Sequence, residues 1–427
     1  MSIFKSSLVV AAALAVGCGG SQKTASELAD NAPPPPSGQH KIERTVSKEA
    51  KTEFQKAVKV YEKNAGGGWT KAECKESAGA FEEVADEFSK LIEARFNAGL
   101  SYQQCGMMED AESQYQAALK INPGHAASLS NLGLIYFIGG NEARGKSYWE
   151  KAVKANGKIP AARTNLAWLI IRQMRATSNR AEKKRLEEEA KTQLSSALAV
   201  ENDNIEAYVL YALLYMEGAE KNHARLDLAK LLLDEGAKRS DDYAPLYNAR
   251  GILLLKKNNV SQALAMFQKA VALDPELLEA RMNVGNVVLS FRKYDEAAKQ
   301  FSAILERDPK NYDALIGLGV AQRGLKKFDE AEASYTAAAK ADPKRAEAYF
   351  NLGVLYKGFR ANQQKDLAAS KDSYQVALKH FRQAVSKENL SPADMKEAKA
   401  NIEDCQKIIR QLDDIISQMA KQPAGAS

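Results

Sequence analysis

The sequence predicts an all-α solenoid of about nine helix pairs closed by a C-terminal helix, and three observations carry that reading. The first is composition. Ala, Leu, Lys and Glu are abundant, and of only 12 prolines four form the run Pro33–Pro36. That mixture favours helix and excludes an all-β protein. The second is period. Gly251, Gly285, Gly319 and Gly353 stand 34 residues apart, and Ala263, Ala297 and Ala331, then Phe267, Phe301 and Tyr335, then Pro275, Pro309 and Pro343 keep the same step. A fixed period of this length marks a repeated supersecondary unit. The third is charge. In 427 residues, 60 basic and 54 acidic side chains leave a net +6, and 45% of residues are hydrophobic. Enough apolar residues are present for a core, while the small net charge argues against a dedicated polyanion binder, so nucleic acid is not an expected partner.

Residues 1–17 read as a signal peptide. Lys5 supplies the positive region and Leu8–Val16 an apolar stretch of nine residues, too short to cross a bilayer core. The stretch ends in Ala15-Val16-Gly17-Cys18, which resembles the lipobox of bacterial lipoproteins, with Ala15 where Leu is usual. The resemblance implies that Cys18 is lipidated and becomes the first mature residue. Gly19 rather than Asp after it implies an outer-membrane lipoprotein facing the periplasm. Each buried methylene of such an anchor contributes about 0.8 kcal/mol. The rest of residues 18–40 is rich in Gly, Ser, Asn, Gln and Pro, cannot bury a core, and serves as a tether.

The solenoid is expected over residues 41–390. Regular 34-residue units fall at 92–125, 126–159, 244–277, 278–311 and 312–345, and Gly99 with Gly133 and Tyr102 with Tyr136 keep the step in the first two. Each second helix ends at Asn-Pro or Asp-Pro: Asn122-Pro123, Asp274-Pro275, Asp308-Pro309 and Asp342-Pro343. Proline blocks continuation of one helix and tolerates the start of the next. Small residues at a fixed helix crossing, an aromatic that fills the space between neighbours, and the segments 131–153 and 351–359 together resemble the tetratricopeptide-repeat (TPR) family. That resemblance implies a right-handed α-solenoid.

Gly99 to Gly251 spans 152 residues, four periods plus 16. About eleven of the surplus are assigned to repeat 160–204 and about five to 205–243. The stretch 175–190 is too charged to be buried and is expected to lengthen its hairpin into solvent. A third insertion of about twelve residues lies within 358–375. A degenerate pair occupies 46–91, with Ala57, Val58 and Tyr61 on one helix and Phe81, Val84 and Phe88 on the other. The final helix, 391–421, opens with Ser391-Pro392, an N-cap followed by proline at the first helical position. Its apolar residues Ala398, Ile402, Cys405, Ile409, Leu412, Ile416 and Met419 follow heptad spacing. Ile408 and Ile415 widen the stripe, as suits a cap on an open array. Self-association or a partner helix through 391–421 is the alternative.

Chemistry-bearing motifs are few. Residues 140–147, from Gly140 to Gly145-Lys146-Ser147, match GxxxxGK[ST]. That loop cradles phosphates when a strand leads into it, whereas Leu132, Gly133 and Tyr136 here fall at helical repeat positions. An ATP-binding enzyme through 140–147 is therefore the disfavoured alternative, and no catalytic residue is assigned. His40, His125, His223 and His380 are scattered and the cysteines have no CxxC spacing, so neither a metal nor a cofactor is expected. In the TPR frame Cys74 begins one second helix and Cys105 ends the next first helix. The family's stacking brings such ends near each other. A disulfide and two buried thiols both stay open, because the Cα separation is not in the sequence.

TPR solenoids generally bind through the groove lined by their first helices. The matching positions here are Phe96, Leu100, Leu134, Phe137, Trp168, Ile171, Leu213, Met216, Ile252, Leu255, Asn286, Leu289, Val320, Arg323, Phe350, Val354 and Lys357. The lysine/asparagine carboxylate clamp of some relatives is not reproduced. The apolar list fits an apolar helix or an extended segment of a protein partner. The whole resembles periplasmic TPR lipoproteins that serve gliding-motility, pilus, secretion and outer-membrane assembly machines. An adaptor for a periplasmic protease or wall hydrolase is the second reading.

Overall fold

The computed structural model describes residues 46–65, 69–219, 222–387 and 390–421. Cys18, the apolar stretch before it and Pro33–Pro36 lie outside them. The described residues form nineteen helices and no strand, in two compact units that divide at Asp241. The first unit holds five pairs: α1 (Lys48–Ala65) with α2 (Lys71–Glu87), α3 (Ile92–Gln104) with α4 (Met108–Ile121), α5 (Ala126–Ile138) with α6 (Glu142–Ala155), α7 (Pro160–Ala176) with α8 (Arg180–Val200), and α9 (Ile205–Met216) with α10 (Ala224–Ala237). The second holds α11 (Ala244–Lys256) with α12 (Val260–Leu273), α13 (Leu278–Ser290) with α14 (Tyr294–Arg307), α15 (Tyr312–Gly324) with α16 (Phe328–Ala341), and α17 (Glu347–Leu355) with α18 (Leu367–Val385). Helix α17 continues through a π-helical turn, Tyr356–Arg360, to Gln363, and α19 (Pro392–Lys421) packs on α18.

One contact explains the 34-residue period. In the six pairs that carry it, the shared glycine of the first helix meets the aromatic of its own second helix. A Cβ on Gly99 would lie 2.6 Å from Tyr115, on Gly133 2.4 Å from Trp149, on Gly251 2.4 Å from Phe267, and on Gly319 2.5 Å from Tyr335. Those aromatics are at most 1% exposed. Only a residue without a side chain lets the two helices cross that closely, and the buried ring recovers apolar area in exchange. In the last pair Gly353 meets Phe381 at 2.7 Å, and α18 is 19 residues long where α12, α14 and α16 have 14.

The connections are equally regular. Asn122, Asp274, Asp308 and Asp342 each accept a hydrogen bond from the amide two residues on, at 2.8–3.2 Å. The side chain thus supplies an acceptor for an amide that the ended helix no longer satisfies. In the 160–204 pair α7 has 17 and α8 21 residues, against 13 and 14 in the preceding pair. The extra turns lie on both arms of the hairpin, with Arg185 bridging Glu182 and Glu189 on the exposed side of α8. Within each unit neighbouring first helices touch one another: α5, α7 and α9 in the first, α11, α13, α15 and α17 in the second. They form the inner layer of each stack.

Candidate functional site

The inner layer is where the sequence places partner binding, and burial sorts its residues into two groups. Phe96, Leu100, Trp168, Ile171, Leu213, Met216, Ile252 and Phe350 are each at most 8% exposed. Trp168 packs edge-on against Phe137, ring centroids 5.2 Å apart, within the core of the 126–214 region. This corrects the reading of these eight, and of Leu289 at 6%, as partner-facing. A large apolar side chain at that position gains more from packing between adjacent first helices than a groove can offer it. Leu134, Phe137, Val320, Arg323 and Lys357 are half-buried and Asn286 is exposed. The accessible part of the face is therefore more polar than the list suggested.

In the second unit that polar part is organised. Asn283 on α13 donates to Asn248 on α11 at 2.8 Å, and Arg323 on α15 donates to Asn351 on α17 at 3.2 Å. Lys357 in the π turn donates to Asn401 at 2.7 Å and to Asp404 at 2.9 Å on α19. The ion pair holds the Asp404 carboxyl below its ordinary pKa. Amide or cationic groups thus connect each first helix to a neighbour along the face. Sequence reasoning missed Asn248, Asn283, Asn351 and Asn401, although Asn248 and Asn283 stand one period plus one residue apart. The first unit spends its equivalent polar groups internally. The hydroxyl of buried Tyr115 donates to Gln103 at 2.8 Å and accepts from Asn131 at 2.9 Å, and burial pushes its pKa up.

Cys74 and Cys105 form a disulfide with their Cα atoms 6.3 Å apart. It ties the start of α2 to the end of α3, beside the capping box in which Thr70 and Glu73 exchange hydrogen bonds. Cys405 is a free, buried thiol whose pKa burial raises to about 11.

The 140–147 motif is a helix start. Gly140 turns with φ 81°, and Asn141 caps α6 by accepting from the Arg144 amide at 3.1 Å. The Gly145 amide donates to the Asn141 carbonyl at 2.9 Å, so it is spent inside the helix rather than aimed at a phosphate. Position 145 needs glycine because a Cβ there would lie 2.8 Å from the Gly133 carbonyl. Lys146 stands 3.8 Å from Glu150 on the same helix. Among the described residues no helix is long and apolar enough to cross a membrane.

Tetratricopeptide-repeat profiles match residues 92–125, 248–312 and 288–353. Among solved structures, the human IFIT1 dimer with PPP-AAAA is 16% identical, with a TM-score of 0.52 over 84% of this chain and 82% of that one. The same dimer with m7Gppp-AAAA is 16% identical and gives 0.53 over 84% and 81%. A thermophilic TPR protein of Thermus thermophilus, TTC0263, is 20% identical, with a TM-score of 0.39 over 46% of this chain and 99% of that one. No curated protein matches. The paired helices, the 34-residue glycine–aromatic register and the profile matches show that this chain has an α-solenoid fold with tetratricopeptide repeats at residues 92–125 and 248–353.

Proposed function

We propose that this protein is an exported, lipid-anchored scaffold whose inner first-helix face, in residues 242–421, holds an extended segment of an envelope protein. The observation that carries the proposal is the row of Asn283, Asn286, Arg323 and Lys357 along α13, α15 and the π turn after α17, backed by the buried Asn248 and Asn351. A carboxamide presents a donor and an acceptor side by side, which is what an extended backbone offers in return. The anchor rests on Cys18 and its flanking sequence. The architecture resembles envelope lipoproteins of gliding-motility, pilus, secretion and outer-membrane assembly machines, the myxobacterial gliding machine above all. Binding, not catalysis, is its role.

The test places a photo-crosslinking residue at Asn286 and, as a comparison, at exposed Gln268 on α12. A defined partner is expected at Asn286 only. Equal capture at both sites overturns the groove assignment. Cys18→Ser is expected to move the protein from the membrane to the soluble envelope fraction, and retention of the lipidated form overturns the anchor.

A further inference from the structure

The turns from first to second helix break two local rules in the second unit. Seven residues after the shared glycine the backbone is left-handed in five pairs: Gly106 at φ 68°, Gly140 at 81°, Asn258 at 59°, Arg292 at 59° and Lys326 at 62°. Glycine, or asparagine at small cost, belongs there, and a long L side chain is strained. The next residue is the N-cap of the second helix. Asn141 and Asn259 accept from Arg144 and Gln262 amides at 3.1 and 3.3 Å. Lys293 and Lys327 at the caps of α14 and α16 make no such bond, and a cation opposes the dipole of the helix it starts. Two repeats therefore carry consecutive cations where Gly140-Asn141, in the α5–α6 turn, shows the unstrained solution. Lys293 gains only an exposed ion pair with Glu296 at 3.3 Å, which is worth little, and positions that break local rules for so small a structural return are where function is expected.

We propose that these turns form a basic edge that binds an acidic, extended segment of a protein partner. Lys257, Arg292, Lys293, Lys326 and Lys327 are all exposed, and Phe291 beside Arg292 is 49% exposed. All sit on turns of one kind, α11–α12, α13–α14 and α15–α16, hence along one edge of the unit. The corresponding turns of the first unit carry Gly106-Met107 and Gly140-Asn141 instead. The small net charge of the whole chain hides this local concentration. Packed helices lie about 8–10 Å apart and these first helices touch their neighbours, so the three turns together span about 16–20 Å, or roughly five to six residues of extended chain. Acidic clusters at that spacing match the edge. Asp295, Glu296, Asp329 and Glu330 follow each cation pair on the first turn of the helix. A flat anionic bilayer would meet those carboxylates as well, whereas a narrow chain laid across the turns need not.

The experiment uses the whole chain and a fluorescein-labelled peptide of two Glu triplets separated by Gly-Ser-Gly, with the Gln analogue as control. The variant combines Arg292→Gly, Lys293→Asn, Lys326→Gly and Lys327→Asn, which writes the Gly140-Asn141 solution into both turns. The wild type is expected to bind the Glu peptide and not the Gln peptide. The variant is expected to bind at least about tenfold more weakly while melting at a higher temperature, so lost binding cannot be lost fold. Equal affinity of wild type and variant, or equal affinity for the Glu and Gln peptides, overturns the proposal. So does binding to phosphatidylglycerol vesicles without binding to the peptide. Crosslinking at Asn286 reads a different face, so its failure leaves this result standing.

Discussion

Gly285→Ala tests the repeat register at a ring that is held from both sides. An added Cβ would stand 2.8 Å from both Cε1 and Cζ of Phe301, against about 3.5–4.0 Å for a relaxed carbon contact. The ring would have to retreat by about 1 Å. It has nowhere to go. Phe301 is fully buried, and on its other side an ideal Cβ at Gly317, on the next first helix, would lie 2.5 Å from the same ring. Overpacking of this kind costs about 1–3 kcal/mol, while Ala gains about 1 kcal/mol over Gly in a helix interior. We expect a net loss of up to about 2 kcal/mol, and a larger one for Gly285→Leu. Gly79 in α2 is the opposite case, because nothing lies within 4 Å of its added Cβ. Gly79→Ala should stabilise by about 0.5–1 kcal/mol. Urea unfolding followed by circular dichroism gives the sign. Hydrogen exchange localises the Gly285 effect to α13–α16, since solenoid stability is summed from local terms. Unchanged or increased protection there in Gly285→Ala would refute the argument.

Three further outcomes are expected. Reduction, or Cys74→Ser with Cys105→Ser, should destabilise the α1–α3 region by about 3–4 kcal/mol through the freed loop between residues 31 apart; a thiol-independent melting curve would contradict this. Trp168→Ala should cost about 3–5 kcal/mol through core loss, and crosslinking at Asn286 below the variant's melting temperature should persist; a well-folded variant that loses its partner would return Trp168 to the binding face. Lys146→Ala should shift stability by only a few tenths of a kcal/mol, the value of an exposed i,i+4 pair, and calorimetry should detect no ATP binding in either protein; ATP binding abolished by the substitution would revive the nucleotide-site reading.

Periodic features were legible without coordinates because repetition prints the same packing demand several times. Gly251, Gly285, Gly319 and Gly353 with their aromatics reported a helix crossing, and Asp-Pro reported where each second helix stops. The alternation of helices, and hence the solenoid, followed from local chemistry. Burial did not. Trp168 and Asn286 are both inner-face positions of first helices, yet one is core and the other exposed, because exposure depends on how closely neighbouring helices approach. The Cys74–Cys105 bond needed the 6.3 Å Cα separation set by α2 against α3. The left-handed φ of Arg292 and Lys326 is set by the path the chain takes from one helix to the next. Local interactions between residues a few positions apart determine helices and their ends, so the sequence states them directly. Which side chains face water, which sulfurs meet and which residues are strained are properties of surfaces brought together from distant positions, and only the tertiary structure decides them.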